Sequence, residues 1–260
     1  MLAVAIISLG GLGIIFGALL AYASQKFAVE VDPRIEMVQE ALVGANCGAC
    51  GYPGCAKFAE EVVAGNAPVS GCTPGGSATA AKIAELLGQE TPAAEARIVA
   101  QPVCLGGCSV AKDKSVYDGY RDCKAVLMFG GGNKACQYGC LGLGTCARVC
   151  PFDAITMSED GLPIVDIDKC TGCAKCKNAC PRQVIDMVNA KTYHYVRCKS
   201  QDKGKQVRSV CERGCIACGI CVKNCPENAI RMENNLAVID SYICTNCGKC
   251  VESCPRNTIA

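Results

Sequence analysis

The chain has 260 residues, of which 25 are cysteine and none tryptophan, with 5% aromatic residues and a formal net charge of +2. So little aromatic bulk excludes one large hydrophobic core of the ordinary kind, and a cysteine at about every tenth position predicts several small modules held by metal or disulfide. Nucleic-acid binding is not expected either, because Ser24 to Ala100 carries five Lys/Arg against nine Asp/Glu.

Leu2 to Ala23 form a run of 22 residues without a charge. As a helix this run is about 33 Å long, enough to cross a hydrocarbon core. A cleaved signal peptide needs a basic leader and a shorter apolar stretch, whereas here the apolar run follows Met1 at once. A retained transmembrane anchor over residues 1–25 is therefore predicted. Lys26 and Arg34 follow the run and nothing basic precedes it, which puts the cysteine-rich body on the cytoplasmic side of the cell inner membrane. A reducing compartment argues against structural disulfides.

Residues 32–90 read as a small helical module. Asp32-Pro33 predicts an N-cap with proline in the first turn of a helix ending at Gly44. AKFAEEVVAG and SATAAKIAELLG predict two further helices, the second stopped by Gly88. Between them lies the stretch GANCGACGYPGC, with Cys47, Cys50 and Cys55, followed by Cys72 in GCTPGG. Residues 91–122 read as a linker carrying extra cysteines.

From Cys123 the chain repeats itself. Cys123, Cys136, Cys140, Cys146 and Cys150 recur 75 residues later as Cys198, Cys211, Cys215, Cys221 and Cys225. Cys170, Cys173, Cys176 and Cys180 recur 74 residues later as Cys244, Cys247, Cys250 and Cys254. Two tandem ferredoxin-like domains, 123–190 and 191–260, are expected, giving an α+β chain of small iron-sulfur modules behind the helical 4Fe-4S domain.

The run C-x2-C-x2-C-x3-C-P starts at Cys170, Cys215 and Cys244. In two-cluster ferredoxins three close thiolates hold one cubane and the fourth, before proline, crosses to the other. The crossed rule gives Cys215, Cys218, Cys221 and Cys254 for one [4Fe-4S] cluster, and Cys244, Cys247, Cys250 and Cys225 for a second. Cys170, Cys173, Cys176 and Cys150 make a third. Zinc is the weaker alternative, since three thiolates at this spacing plus the C-P cysteine over-supply a tetrahedral ion. In the remaining set, Leu143 stands where Cys218 stands in the second copy. Cys140, Cys146 and Cys180 are left, with Cys136 the nearest replacement, unless the site is three-coordinate. In the company of these sets Cys47, Cys50, Cys55 and Cys72 read as a further [4Fe-4S] site, with glycines that allow close backbone approach. Five clusters are expected on this count.

Cys104, Cys108, Cys123, Cys198 and Cys211 are unassigned. Cys104-x3-Cys108 followed by Cys123 is spaced for three ligands of a sixth cluster, with Cys136, Cys198 or Cys211 as the fourth; otherwise some of these thiols are small buried hydrophobes. Four thiolates around an oxidised cubane leave about −2 per site, making the loaded protein anionic. Against that, Arg182 to Arg213 holds eight Lys/Arg and three Asp/Glu. This stretch is a solvated connector or a docking patch for an acidic electron carrier. His194, the lone histidine, reads as packing between modules. No nucleophile, phosphate loop or flavin fingerprint stands out, so no catalytic residue is expected.

The apolar N-terminus followed by NCGACGYPGC, Cys72 in GCTPGG and KIAELLG resembles the B subunit of the Rnf complex, a membrane ferredoxin:NAD oxidoreductase and ion pump. The resemblance implies a relay: reduced ferredoxin as electron donor, the clusters of this chain as the path, and membrane subunits plus a flavin- and NAD-binding subunit as partners, with export of sodium or protons. It also implies cluster ligation by Cys47, Cys50, Cys55, Cys72 and the ferredoxin cysteines named above. The alternatives are a polyferredoxin serving a heterodisulfide reductase or hydrogenase, and a binding protein whose metals are redox-silent.

Overall fold

The computed structural model describes residues 2–26, 32–90 and 96–260. Helix α1 runs Leu2–Lys26. Its apolar side chains stand exposed, with Ile14 at 75% and Leu20 at 71%. Side chains of residues 2–9 lie outside those described, so the expected anchor is covered only in part. Among the described residues no helix is long and apolar enough to cross a membrane.

The helical module follows. The Asp32 carboxylate accepts the Arg34 N–H at 2.9 Å and caps α2 (Pro33–Ala41), with proline in the first turn as expected. The helix stops at Ala41, short of Gly44, because Leu42 turns extended. Helix α3 (Cys55–Val63) and α4 (Gly76–Leu87) come next, and Gly88 ends α4 in the left-handed conformation at φ 64. Val38, Phe58, Val62 and Ile83 form the centre, and Cys50, Cys55 and Cys72 belong to the same core. The thiols are therefore packed from one side by hydrocarbon.

The stretch expected as a linker instead contributes a strand. β1 (Ile98–Pro102) is followed by α5 (Cys123–Met128), α6 (Thr145–Arg148), the hairpin β2 (Ile155–Met157) and β3 (Pro163–Val165), α7 (Lys175–Ala179) and β4 (Ile185–Asn189). β1 lies antiparallel on β4, Ile98 opposite Asn189 and Pro102 opposite Ile185. The first ferredoxin module is closed by a segment that precedes its sequence repeat. In the second, α8 (Gly204–Val210), α9 (Ile220–Lys223), the hairpin β5 (Ile230–Glu233) and β6 (Leu236–Ile239), and α10 (Lys249–Glu252) follow the same plan. There the closing pair is reduced to one bridge, Val196 opposite Ile259.

The loops between these elements are bent by left-handed residues at fixed positions. Ala174, Ala217 and Asn246 sit at φ 59, 55 and 57 inside the three cysteine runs. Asp153, Gln183, Asn228 and Asn257, each three residues after a Cys of a Cys-Pro pair, sit at φ 49, 50, 51 and 47. Such alternation turns successive N–H groups to one side and builds a concave, anion-seeking surface. Asn and Asp tolerate it better than other non-glycine residues, which explains their recurrence.

Phe58 is 2% exposed at the centre of the helical module. Phe58→Ala should cost about 3–5 kcal/mol of that module's stability, as a large-to-small core substitution does. Chemical denaturation of the holoprotein should show the loss, and a change below about 1 kcal/mol would mean the thiol side alone holds the module together.

Candidate iron-sulfur sites

The N-terminal thiols gather where sequence spacing puts them. Burial raises the Cys72 thiol, and thiolates at Cys55 and Cys47 raise it further against the amides of Gly75 and Val43. The Asn46 side-chain oxygen accepts the Cys55 N–H at 2.8 Å, tying the start of α3 to the Cys47 loop. Cys47, Cys55 and Cys72 are thus brought together, and Cys50 packs on the same core.

In the second ferredoxin module Cys215, Cys218, Cys221 and Cys254 line one void. Cys225, Cys244, Cys247 and Cys250 line another, beside His194. His194 therefore packs against the last quartet. In the first module burial pushes Cys176 up to about 12, with Cys170 and Cys173 adding to it. Cys150 lies within reach of Cys173, so Cys150, Cys170, Cys173 and Cys176 form the corresponding quartet. Backbone amides point at the sulfurs: Ala154 N–H to Cys150 at 3.4 Å, Ala229 N–H to Cys225 at 3.3 Å, Thr258 N–H to Cys254 at 3.4 Å. Each is the amide just after a left-handed residue.

The set interrupted by Leu143 needs correction. Its void is lined by Cys123, Cys140, Cys146 and Cys180, and Cys136 is absent from it. The loop keeps the ferredoxin bend, with Gly142 and Gly144 at φ 77 and 72, but Leu143 packs instead into the apolar cluster of Val126 and Leu141. Cys123 arrives from upstream of the ferredoxin loop, at the first turn of α5. Asp122 holds it there: its carboxylate accepts the N–H groups of Lys124 and Ala125 at 2.8 and 3.2 Å and the Thr145 hydroxyl at 2.9 Å. The Thr145 oxygen accepts the Cys123 N–H at 2.8 Å. Two helix starts, α5 and α6, are locked together, and the lock delivers the thiol that Leu143 does not supply.

Cys136 lies elsewhere, in a void lined also by Cys104, Cys198 and Cys211. The sixth set expected from Cys104, Cys108 and Cys123 is thus redrawn. Cys108 is exposed and donates to the Asp160 carboxylate at 3.1 Å, outside every quartet. Sequence alone held a signal for this. Cys211 is left over in the second copy, so its equivalent Cys136 should be left over in the first.

The quartets neighbour one another in series. A Cys47 thiolate bears on Cys173, and one at Cys146 bears on Cys176. The Cys140 N–H donates to the Cys104 sulfur at 3.4 Å, and the Cys215 amide donates to Cys198. Cys215, Cys221, Cys225, Cys250 and Cys254 share one core.

Bare thiols are poorly placed to ionise here. Burial pushes Cys140 and Cys198 to about 12 and Cys146 and Cys221 to about 11, and neighbouring thiolates add to the effect. Only a cationic centre shared by four sulfurs compensates such a site, and loading it must release protons. Cys254 differs: burial alone would raise it, yet the amides of Thr258, Arg256 and Ile259 and the Thr258 hydroxyl hold it below the ordinary thiol value. Among the described residues no three His, Cys, Asp or Glu side chains converge as a single-ion site. Arg182 Nε and Arg256 Nε are buried donors without a partner, the first beside the Cys180 quartet and the second beside the Cys254 quartet. All-sulfur donors, inward amides and nearby guanidinium groups fit a thiolate-ligated iron-sulfur cluster, whose overall charge is negative.

Cys123→Ser should remove or convert one [4Fe-4S] signal in the EPR spectrum of the reduced chain. Adding Leu143→Cys to that variant restores the ferredoxin spacing and should recover both the signal and about four iron atoms per chain. A Cys123→Ser spectrum identical to the parent would remove Cys123 from the site.

Comparison with known proteins finds iron-sulfur domains over these segments. A family model of an Fe-S cluster domain matches residues 42–74, and 4Fe-4S dicluster domain models match residues 134–185 and 214–258. The chain is 47% identical over 236 residues to the B subunit of the Na(+)-translocating ferredoxin:NAD(+) oxidoreductase complex of Acetobacterium woodii, covering 91% of this chain and 71% of that one. It is 44% identical over 240 residues to the B subunit of the ion-translocating oxidoreductase complex of Methanosarcina acetivorans, covering 91% and 89%. It is 45% identical over 234 residues to the B subunit of the proton-translocating ferredoxin:NAD(+) oxidoreductase complex of Clostridium ljungdahlii, covering 90% and 82%. With relatives of this closeness along nearly its whole length, the chain belongs to the B-subunit family of the ion-translocating (Rnf) oxidoreductase complexes.

Proposed function

We propose that this chain is the membrane-anchored iron-sulfur relay of an ion-translocating ferredoxin:NAD oxidoreductase complex, accepting electrons from reduced ferredoxin and passing them to membrane and flavin-binding subunits. The observation that carries this reading is the set of thiol quartets distributed from the helical module to the C-terminus. A [4Fe-4S] cluster bound at each quartet supplies a one-electron couple without bond chemistry. The chain's own part is to hold thiolates at fixed separations, exclude water with Ile185, Val99 and their neighbours, and aim N–H groups at sulfur. Hydrogen bonds to sulfur and nearby cations favour the reduced, more negative state.

Ligation is assigned to Cys47, Cys50, Cys55 and Cys72; to Cys123, Cys140, Cys146 and Cys180; to Cys150, Cys170, Cys173 and Cys176; to Cys215, Cys218, Cys221 and Cys254; and to Cys225, Cys244, Cys247 and Cys250. Cys218 and Cys247 are exposed, which makes the second ferredoxin module a suitable entry point for a diffusing donor. The basic stretch from Arg182 to Arg213 supports attraction of an acidic carrier to that side. Helix α1 is assigned as the anchor, since Leu12, Ile14, Ile15, Phe16, Leu19 and Leu20 are all exposed and a helix apolar all round is stable only in an apolar medium.

Expressed without partner subunits, the full chain should sediment with membranes, while a chain lacking residues 1–23 should be soluble, brown and still reducible by ferredoxin. Solubility of both would remove the anchor. Failure of reduced ferredoxin to reduce either would remove the donor assignment.

A further inference from the structure

The void lined by Cys104, Cys136, Cys198 and Cys211 lies between the two ferredoxin modules, and each module gives it two thiols by the same construction. Cys136 and Cys140 correspond to Cys211 and Cys215 across the 75-residue repeat, and Val184 to Thr258 across the 74-residue one. Val103 donates its N–H to Val184 at 2.8 Å, and Arg197 donates to Thr258 at 2.8 Å. The next residue in each case is a cysteine, so Cys104 and Cys198 are structural equivalents. This replaces the pairing of Cys123 with Cys198 that sequence spacing suggests.

The sulfur environments repeat as well. Cys104 accepts the N–H of Gly106 at 3.3 Å and of Cys140 at 3.4 Å. Cys198 accepts the N–H of Ser200 at 3.4 Å and the amide of Cys215. The same two donors, one two residues on and one on the first cysteine of the adjacent ferredoxin loop, hold each sulfur. A cradle is left open between them. A Cβ on Gly106 would stand 3.5 Å from the Cys211 sulfur and 3.6 Å from that of Cys104.

The charge of the lining points to an anionic occupant. Lys134, Arg197, Lys199 and Arg213 line the void and no carboxylate does. Lys134 is only 6% exposed, although Asp113 pairs with it at 2.9 Å. None of the matched family domains, over residues 42–74, 134–185 and 214–258, includes Cys104, Cys198 or Cys211.

We infer that Cys104, Cys136, Cys198 and Cys211 hold a sixth [4Fe-4S] cluster on the pseudo-twofold axis relating the two modules, and that it joins their cluster pairs into one continuous path. The inference rests on the relay reading above. One electron leaves a reduced cluster at the Cys140 or Cys215 quartet and arrives here; the donor is oxidised and the acceptor reduced by one, with no bond broken and no proton moved. With six quartets filled, Cys108 is the one thiol outside the scheme.

Iron, acid-labile sulfide and EPR-monitored redox titration of the anaerobically purified full chain test this. About 24 iron atoms per chain are expected for six cubanes. About 20 would overturn the sixth site and leave the relay standing, whereas absence of labile sulfide would sink both. Cys198→Ala should fall to about 20 iron atoms and lose one redox couple, while Cys108→Ala should keep about 24. Arg197→Gln retains all four thiols and should keep its iron while a single couple moves to lower potential. Unchanged iron in Cys198→Ala, or no displaced couple in Arg197→Gln, would overturn the inference.

Discussion

Bringing four thiols around a common centre inside a protein opposes their ionisation twice over: burial removes water from each sulfur, and every thiolate repels the next. Cys140, Cys176 and Cys198 pushed to about 12 register that conflict directly. The rest of the structure answers it. Left-handed residues turn amides onto sulfur, Cys-Pro corners bring a distant thiol across, and short strands seal one side with Val99, Ile155 and Ile185. With so few aromatic side chains, these modules hold together only because the same residues serve both packing and ligation. The conventional core is largest in the helical module, where Phe58 and Ile83 are available.

Duplication explains the architecture of the remaining chain. Two modules related by a repeat bury equivalent surfaces against each other, and backbone bonds cross the junction at Lys112 to Val210 and Glu212 to Val110, 2.9 Å each. Lys199 pairs with Asp186 of the other module at 2.9 Å. The insertion between Cys104 and Cys136 breaks the equivalence on one side only. It supplies Cys123, and with it the freedom for Leu143 to become a packing residue.

Much of this was legible in the spacing of cysteines, because a ferredoxin loop is a local object. Three ligands within seven residues determine a bend, and the bend determines where the crossing cysteine must land. Thus the quartets of Cys170, Cys215 and Cys244 and the Cys47 stretch could be written down from sequence. Cys123 could not, since its placement depends on Asp122 meeting Thr145, a tertiary hydrogen bond between segments that carry no shared pattern. Cys108 misled for the opposite reason: its spacing from Cys104 looks like ligation, yet Asp160 takes the thiol to the surface. The strand over Ile98–Pro102 was hidden in an apparent linker because its partner, Ile185–Asn189, lies more than eighty residues away and local propensity does not reveal pairing.

The cross-bonding at the module junction has a mechanical meaning. Two ferredoxin modules tethered by chain alone would tumble independently, and the separation between their outermost quartets would fluctuate. Backbone hydrogen bonds and an ion pair across the seam tie the two modules to each other instead. Any motion that redirects the relay would have to hinge outside this seam, so that the quartets of both ferredoxin modules move as one piece.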